Sequence, residues 1–206
     1  MAEAQSWSIG FRLRCPLSNT FILTPDTLPV VQLTRDVTKH LKRGHRWIFA
    51  NCFSDGAKLQ SGMYALQFKG ELIGYGVVQA DTQLRFRMFC LSDEPYFRKN
   101  SAVKTFALWS ERQWKNARRI RESIPRELTD SFRLVNGEGD GMPGLVIDIY
   151  YNVAVLKHDH PIMETIWDAK VIAERIRADF PSIEHVYLKR KNDADEKGVN
   201  LIGELP

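Results

Sequence analysis

Three glycines in one short segment have the spacing of a nucleotide-binding loop. Gly139, Gly141 and Gly144 fit the pattern G-x-G-x-x-G, which in Rossmann enzymes approaches the pyrophosphate of a dinucleotide. That chemistry requires a helix directly after the loop, because the amides of the helix N-terminus bind the phosphates. Here Pro143 lies inside the loop, and residues 145–150 have the composition of a β-strand. The sequence therefore predicts a glycine-rich turn between strands rather than a nucleotide site.

Polar residues near this loop could also do chemistry, as a metal site or as an acid and a base. His158 and His160 are two residues apart near the end of a predicted strand, which would put both imidazoles on one face, but no third ligand follows nearby. Glu138, Asp140 and Asp148 could supply an acid and a base. Carboxylates beside glycines in a hairpin more often shape the turn through local hydrogen bonds. We therefore expect structural roles for these carboxylates and no metal.

The remaining residue types give no sign of covalent catalysis or of export. Cys15, Cys52 and Cys90 are odd in number and far apart, which predicts isolated thiols rather than disulfides or a zinc site. No serine lies in a G-x-S-x-G elbow, and no cysteine is joined to a histidine by a motif. The first thirty residues lack the apolar region of a signal peptide, and no apolar run approaches the length of a membrane span. A cytoplasmic protein without a membrane segment is expected.

Positive charge is concentrated in two segments. The net charge of the chain is +4, yet residues 35–46 and residues 104–126 each carry a large excess of Lys and Arg over Asp and Glu, so the remainder is acidic. Basic segments on an acidic background are typical of a protein that binds a polyanion such as RNA. Solvated helix faces are the alternative explanation.

From Val30 onward, short apolar runs alternate with turns, which predicts a compact β-barrel. The predicted strands cover residues 30–34, 47–49, 62–68, 72–78 and 84–90. Between the first two, Val37 and Leu41 lie four residues apart, which predicts a short basic helix over residues 35–43. Thr34 is the expected N-cap of this helix, and Gly44 is expected to end it.

A second unit follows a long helix. Apolar residues recur every three to four positions over residues 101–124 with no Gly or Pro before Pro125, which predicts that helix. Residues 132–157 predict a strand, the glycine-rich turn and a second strand; residues 161–179 predict an amphipathic helix, residues 183–188 a strand, and residues 200–203 the start of one more. The expected fold class is α+β: a small β-barrel, a long connecting helix and a mixed β-β-α-β(-β) domain.

The segment 132–157, FRLVNGEGDGMPGLVIDIYYNVAVLK, resembles the middle-domain signature of a bacterial family of SAM-dependent ribosomal RNA methyltransferases. The residues that carry the resemblance are Arg133, Leu134, Val135, Asn136, Gly137, Glu138, Gly139, Asp140, Gly141, Pro143, Gly144, Leu145 and Asp148. Residues 44–51, GHRWIFAN, resemble an element of the family's N-terminal PUA domain, although Arg46 replaces the usual Pro.

The resemblance implies three regions: an N-terminal extension (1–29), a PUA-like RNA-binding domain (30–95), and the connecting helix with a middle domain that is incomplete at its C-terminus (96–206). The family makes 5-methylcytosine in large-subunit rRNA, and its SAM loops and catalytic cysteines lie in a further, C-terminal domain. The implied function is to position 23S rRNA for a catalytic domain absent from this chain. SAM is then the cofactor of the complete enzyme, with no residue here assigned to it. The alternative is a stand-alone RNA-binding or ribosome-associated protein without catalysis.

The predicted RNA contacts combine positive charge with an aromatic face. Basic side chains neutralise phosphates, and an exposed ring can stack on an unpaired base. The predicted RNA-binding residues are Lys39, Lys42, Arg43, Arg46, Trp47, Arg85 and Arg87; for Trp47, burial in the barrel is expected in preference to stacking. The family-motif loop contributes Arg133, Asn136, Glu138, Asp140 and Asp148, of which Asn136 and Asp140 are expected to fix the loop. No membrane partner is expected, and a homodimer is left open.

Overall fold

The computed structural model describes residues 28–54, 59–99, 101–190 and 198–204. These residues form two five-stranded sheets with a long helix between them in the chain, which confirms the α+β class. Most of the predicted N-terminal extension, including Cys15, lies outside the described residues. Within these ranges, no helix is both long and apolar enough to cross a bilayer.

The first sheet contains β1 (Val30–Leu33), β2 (Trp47–Ile48), β3 (Gly62–Phe68), β4 (Glu71–Val78) and β5 (Phe86–Leu91). Its strand order is β1-β3-β4-β5-β2, with β1 and β3 parallel and the other pairs antiparallel. After β2, a single 3₁₀ turn (Ala50–Cys52) carries the chain back so that Phe53 bridges Leu33 of β1. The sheet is therefore a partly closed barrel in which β2 is an edge strand.

The helix between β1 and β2 is shorter than the sequence predicts. Helix α1 covers Thr38–Lys42, and Val37 occupies the N-cap position. Thr34 is not the cap, because its hydroxyl donates instead to the carbonyl of Cys52, at 3.0 Å. Asp36 takes over part of the capping role, since its carboxylate accepts the backbone N–H of Thr38 at 2.8 Å. Hydrogen bonds from the side chain and then the backbone N–H of Thr38 hold the pKa of the Asp36 carboxyl below its usual value.

Helix α2 (Ala102–Arg121) connects the two sheets, and Ser101 caps it by accepting the N–H of Lys104 at 3.2 Å. Its buried face is formed by Ala102, Thr105, Phe106, Trp109, Ser110, Trp114 and Ala117. The predicted apolar stripe extends one turn too far, because Ile120 is 53% exposed. The apolar face of the helix therefore ends at Ala117, and its last turn is basic.

The second sheet contains β6 (Ser131–Asn136), β7 (Leu145–Tyr150), β8 (Val153–His158), β9 (His185–Lys189) and β10 (Val199–Ile202), in the order β10-β9-β8-β7-β6. The run predicted as one strand after the glycine-rich turn is two strands, because Tyr151 adopts φ +53° and reverses the chain. The order is therefore β-β-β-α-β-β. The predicted helix 161–179 is likewise divided into a 3₁₀ turn (Pro161–Thr165) and α3 (Ala169–Asp179), which Asp168 caps.

The largest buried hydrophobic cluster spans both sheets, and a separate one fills the first sheet. Phe89 of β5 stacks on Trp109 of α2 with ring centroids 5.1 Å apart, and Trp109 lies 5.7 Å from Trp167 of the second unit. Met63 and Val77 of the first sheet belong to the same buried cluster. Cys52 and Cys90 are buried free thiols, as predicted, and burial raises the pKa of the Cys90 thiol. The packing fixes the face of the first sheet that meets the glycine-rich loop.

Candidate nucleic-acid interface

Two large aromatic side chains, one on the edge strand β2 and one directly after it, are exposed to solvent. Trp47 is 43% exposed and Phe49 is 46% exposed, while Ile48 between them is buried. Successive side chains of an extended chain point to opposite sides, so Trp47 and Phe49 share a face and lie about 6.6 Å apart along the backbone. The ring of His45 meets Trp47 edge-on at 6.4 Å. The expected burial of Trp47 is therefore wrong, and Phe49, which the sequence analysis did not select, joins it.

The indole of Trp47 is held by the glycine-rich loop of the second unit. Its Nε1–H donates to Oε1 of Glu138 at 3.0 Å. The same oxygen accepts a hydrogen bond from Nη1 of Arg87 at 2.8 Å. Arg87 also pairs with Asp159, at 2.6 Å, and its Nε donates to Gln79 at 3.0 Å. Glu138 of the family-motif loop thus joins the second unit to the first sheet through these hydrogen bonds.

Arg87, which the sequence predicts as an RNA contact, lies in ion pairs within the protein. Arg87 is only 7% exposed, and its guanidinium is used by groups within the protein. Its neighbour on the same strand face, Arg85, is half-buried, and Nη1 of Arg85 donates to the carbonyl of Ala80. The side chain of Arg87 faces the second unit, which the sequence pattern alone does not reveal.

The basic residues of α1 and its flank divide into two groups. Lys39 and Arg43 are exposed and form no ion pair within the described part of the chain. Lys42 pairs with Asp93 at 2.7 Å, and Arg46 pairs with Glu94 at 2.8 Å. Surface pairs such as Lys42–Asp93 contribute little and exchange readily with other anions. Lys39 and Arg43 are consequently the basic side chains best placed to meet phosphates, with Lys42 available at small cost.

The glycine-rich loop is clamped to the end of α2. It forms a 3₁₀ turn (Gly137–Asp140), and the carboxylate of Asp140 makes two hydrogen bonds to the guanidinium of Arg121, at 2.6 and 2.7 Å. The same carboxylate accepts the backbone N–H of Asn136 at 2.6 Å. Asp140 therefore fixes the loop, as the sequence analysis predicted. Its partner Arg121 lies on α2, and the sequence predicts only that this helix has a basic face.

Two other motif residues form an exposed network beside this clamp. Arg133 pairs with Asp148 across β6 and β7 at 2.8 Å, and this pairing raises the pKa of the Arg133 guanidinium. Arg133 also donates to the side-chain oxygen of Asn136 at 3.1 Å. The five family-motif residues therefore lie in three adjacent contacts rather than in one catalytic cluster.

The loop does not fit a nucleotide cofactor. Gly141 (φ +67°) and Gly144 (φ +73°) turn the chain into strand β7, so no helix N-terminus faces the loop. A Cβ on Gly144 would lie 2.4 Å from the side chain of Met163, which shows that this glycine serves close packing. The glycine-rich loop is therefore a packed turn that leads into a strand rather than a cradle for phosphates.

The two histidines considered as metal ligands have structural positions. His158 is buried under the second sheet, and this burial lowers its pKa to about 4. Nδ1 of His160 accepts the backbone N–H of Ile162 at 3.3 Å and so caps the 3₁₀ turn. Among the residues that the structure describes, no group of three or more His, Cys, Asp or Glu side chains could hold a metal ion.

Comparison with solved structures identifies the class of fold. A chain described as "a putative SAM-dependent methyltransferase" from Streptococcus mutans superposes with a TM-score of 0.67 over 87% of this chain and 44% of that chain, at 17% identity. A second chain, described as "a putative methyltransferase complexed with SAH", gives a TM-score of 0.63 over 80% of this chain and 40% of that chain, at 17% identity. The fold described above is thus found within larger chains of that description.

Sequence comparison then gives particular relatives that bear the name ribosomal RNA large subunit methyltransferase I. The protein of Vibrio cholerae is 26% identical over 188 residues, which is 86% of this chain and 44% of that relative. The protein of Klebsiella pneumoniae is 30% identical over 139 residues, 66% of this chain and 33% of that relative. No protein-family model matches the sequence. The chain spans between a third and a half of these relatives, and the similarity supports its resemblance to an rRNA methyltransferase family.

Proposed function

We propose that this chain is the RNA-recognition portion of a cytoplasmic, SAM-dependent methyltransferase that modifies cytosine C5 in 23S rRNA. In this proposal the first sheet with α1 is a PUA-like RNA-binding unit. The observation that carries the proposal is the exposed pair Trp47 and Phe49 on an edge strand, in a chain similar to rRNA methyltransferases. Large aromatic side chains left exposed on a strand face suit stacking by unpaired bases.

The charges near this pair suit the same ligand. Arg43 lies four residues before Trp47, and Lys39 lies on the preceding helix turn; both are exposed without an ion pair in the described ranges. Each phosphate that such a side chain neutralises releases counterions, so binding should weaken steeply as salt is added. Aromatic stacking adds affinity that depends much less on salt. The combination predicts a preference for single-stranded over double-stranded RNA.

Methyl transfer belongs, in this proposal, to a part of the enzyme that the described residues do not include. The glycine-rich loop leads into a strand and is packed against α2 and Met163, which does not suit a cofactor. What this chain supplies is a rigid surface that binds and orients RNA. SAM supplies the methyl group in the complete enzyme.

The test is binding of a short single-stranded RNA to the full chain, measured by fluorescence anisotropy across a salt series. Arg43→Ala should weaken binding at low salt and reduce the slope of log affinity against log salt by about 0.7. Trp47→Ala should weaken binding without changing that slope. The matched control is Lys170→Ala, which removes an exposed positive charge on α3. An equal reduction of the slope in the control variant would contradict the proposal. So would a parent protein whose RNA binding does not depend on salt.

A second candidate is a stand-alone RNA-binding or ribosome-associated protein without catalysis. It is favoured by the glycine-rich loop, which serves packing rather than cofactor binding. The intact mass of the native gene product separates the two candidates. A mass near the 23.7 kDa of this chain supports the stand-alone protein, whereas a mass tens of kilodaltons larger supports a methyltransferase.

A further inference from the structure

We infer that Glu138 is a positioning residue for RNA recognition, which orients the indole of Trp47 so that its face can stack on an unpaired base. The inference rests on the proposed function and adds a role for the glycine-rich loop. It gives the loop of the second unit a direct part in RNA recognition by the first unit. No sequence pattern joins these residues, which are 91 positions apart.

The geometry of the contact limits how the indole can turn. Trp47 lies on an edge strand, is nearly half exposed, and would be free to change rotamer if nothing held its ring. The Nε1–H of Trp47 donates to the Glu138 carboxylate at 3.0 Å, which fixes the ring at its polar edge while the residue stays 43% exposed. A side chain that is already ordered loses less conformational entropy when a ligand binds. The fixed indole therefore stacks more favourably than a mobile one.

Glu138 is itself held in place by a buried side chain. Arg87, which is buried, donates to the same oxygen of Glu138 at 2.8 Å and also pairs with Asp159. Hydrogen bonds to an ionised group are shorter and stronger than those between neutral groups. The buried Arg87 thus holds Glu138 in place, and Glu138 in turn holds the exposed Trp47.

Two physical effects predict opposite results when Glu138 is removed. Glu138 places a negative charge next to the surface proposed to bind a polyanion, so on electrostatic grounds Glu138→Ala should bind RNA more tightly. If the carboxylate orients Trp47, the same substitution should bind RNA more weakly. The sign of the change therefore distinguishes a positioning role from a simple charge effect.

The experiment is a double-mutant cycle on the full chain, with affinity for a short single-stranded RNA measured by fluorescence anisotropy at constant salt. Trp47→Ala should weaken binding by roughly 5- to 100-fold, as expected for one lost stacking contact. Glu138→Ala should weaken binding by about 2- to 10-fold in the parent protein, and in the Trp47→Ala background it should leave binding unchanged or slightly tighter. The matched control is Glu164→Ala, which removes an exposed acid elsewhere and should leave binding unchanged or slightly tighter.

Two milder variants keep the test decisive if Glu138→Ala does not fold. Trp47→Phe retains a stacking ring but loses the Nε1–H donor, so it should weaken binding by about the same factor as Glu138→Ala. Glu138→Gln retains an acceptor oxygen for Trp47 and should bind RNA nearly as well as the parent protein. Thermal melting of each variant confirms that it is folded.

The outcomes separate this inference from the proposed function. If the parent protein does not bind RNA, both fail. If it binds RNA with the expected salt dependence but Trp47→Ala binds equally well, stacking at Trp47 is wrong and only the inference fails. Equal or tighter binding by Glu138→Ala, or the same loss with and without Trp47, also overturns the positioning role.

Discussion

Arg121 and Asp140 form a two-point ion pair in which Nη1–Oδ1 is 2.6 Å and Nη2–Oδ2 is 2.7 Å. Both side chains are largely buried, and Nε of Arg121 additionally donates to the carbonyl of Arg133 at 2.8 Å. The pair joins the last turn of α2 to the glycine-rich loop. It therefore determines where Glu138, two residues before Asp140, can reach the first sheet.

Asp140→Ala should lower the free energy of unfolding by about 3 kcal/mol, because it leaves the Arg121 guanidinium buried without its partner. The control is Arg133→Ala, which removes an exposed ion pair with Asp148 and should cost less than about 1 kcal/mol. Urea unfolding of both variants gives the comparison. Similar losses of unfolding free energy in the two variants would mean that burial does not determine how much each ion pair stabilises the fold.

Gly144→Ala should destabilise the protein more than Gly70→Ala. Both glycines have positive φ, and that conformation alone costs a residue with a Cβ about 1 kcal/mol. At Gly70 the added methyl group would meet nothing within 4 Å, whereas at Gly144 it would lie 2.4 Å from Met163. Steric overlap should bring the total for Gly144→Ala to about 3 kcal/mol. Thermal melts of the two variants measure the difference, and equal shifts in Tm would disprove the packing role.

Stability should fall as pH decreases from about 6.5 to about 4, in part because of His158. Burial lowers the pKa of His158 to about 4 in the folded protein, whereas an unfolded histidine titrates near 6.5. The unfolded state therefore binds the proton first, and the stability that is present above pH 6.5 is lost on acidification, by about 3 kcal/mol in total. Urea unfolding at pH 7 and pH 4.5 measures this, with His158→Leu as the comparison. A pH dependence that is as steep in His158→Leu would assign the effect to other groups.

Replacing Arg87 and replacing Arg43 should have opposite effects on stability and on the salt slope of RNA binding. Arg87→Gln should lower stability by about 3 kcal/mol, since Glu138 and Asp159 lose their buried partner, but it should leave the salt slope of RNA binding unchanged. Arg43→Ala should leave stability unchanged and reduce the slope. Denaturation and anisotropy on the same two variants provide the check. A reduced slope in Arg87→Gln would restore Arg87 as a phosphate contact.

The strands of both sheets could be predicted because their signals are local. Pro143 and the β-branched run after Gly144 predict β7, and the structure places a strand there. The break between β7 and β8 was missed because the turn at Tyr151 contains neither Gly nor Pro, and a positive φ is uncommon for Tyr. Local composition is therefore sufficient to predict where a strand begins or ends when the neighbouring turn contains Gly or Pro.

The candidate site was only partly predictable, because its decisive contacts connect distant parts of the chain. Arg87 alternates with Phe86 as an exposed strand residue would, yet Glu138 and Asp159, 51 and 72 positions away, bury it. Trp47 was expected in the core, since large apolar side chains are usually buried. Its exposure depends on β2 being the edge of the sheet, and that is a property of the strand order.

The aromatic cluster of Phe89, Trp109 and Trp167 has a mechanical consequence. These rings interlock the first sheet, α2 and the second unit, so neither sheet can swing without opening the dry interior between them. The two sheets are therefore expected to move as one body, so that binding at the surface around Trp47 would not require one sheet to close on the other.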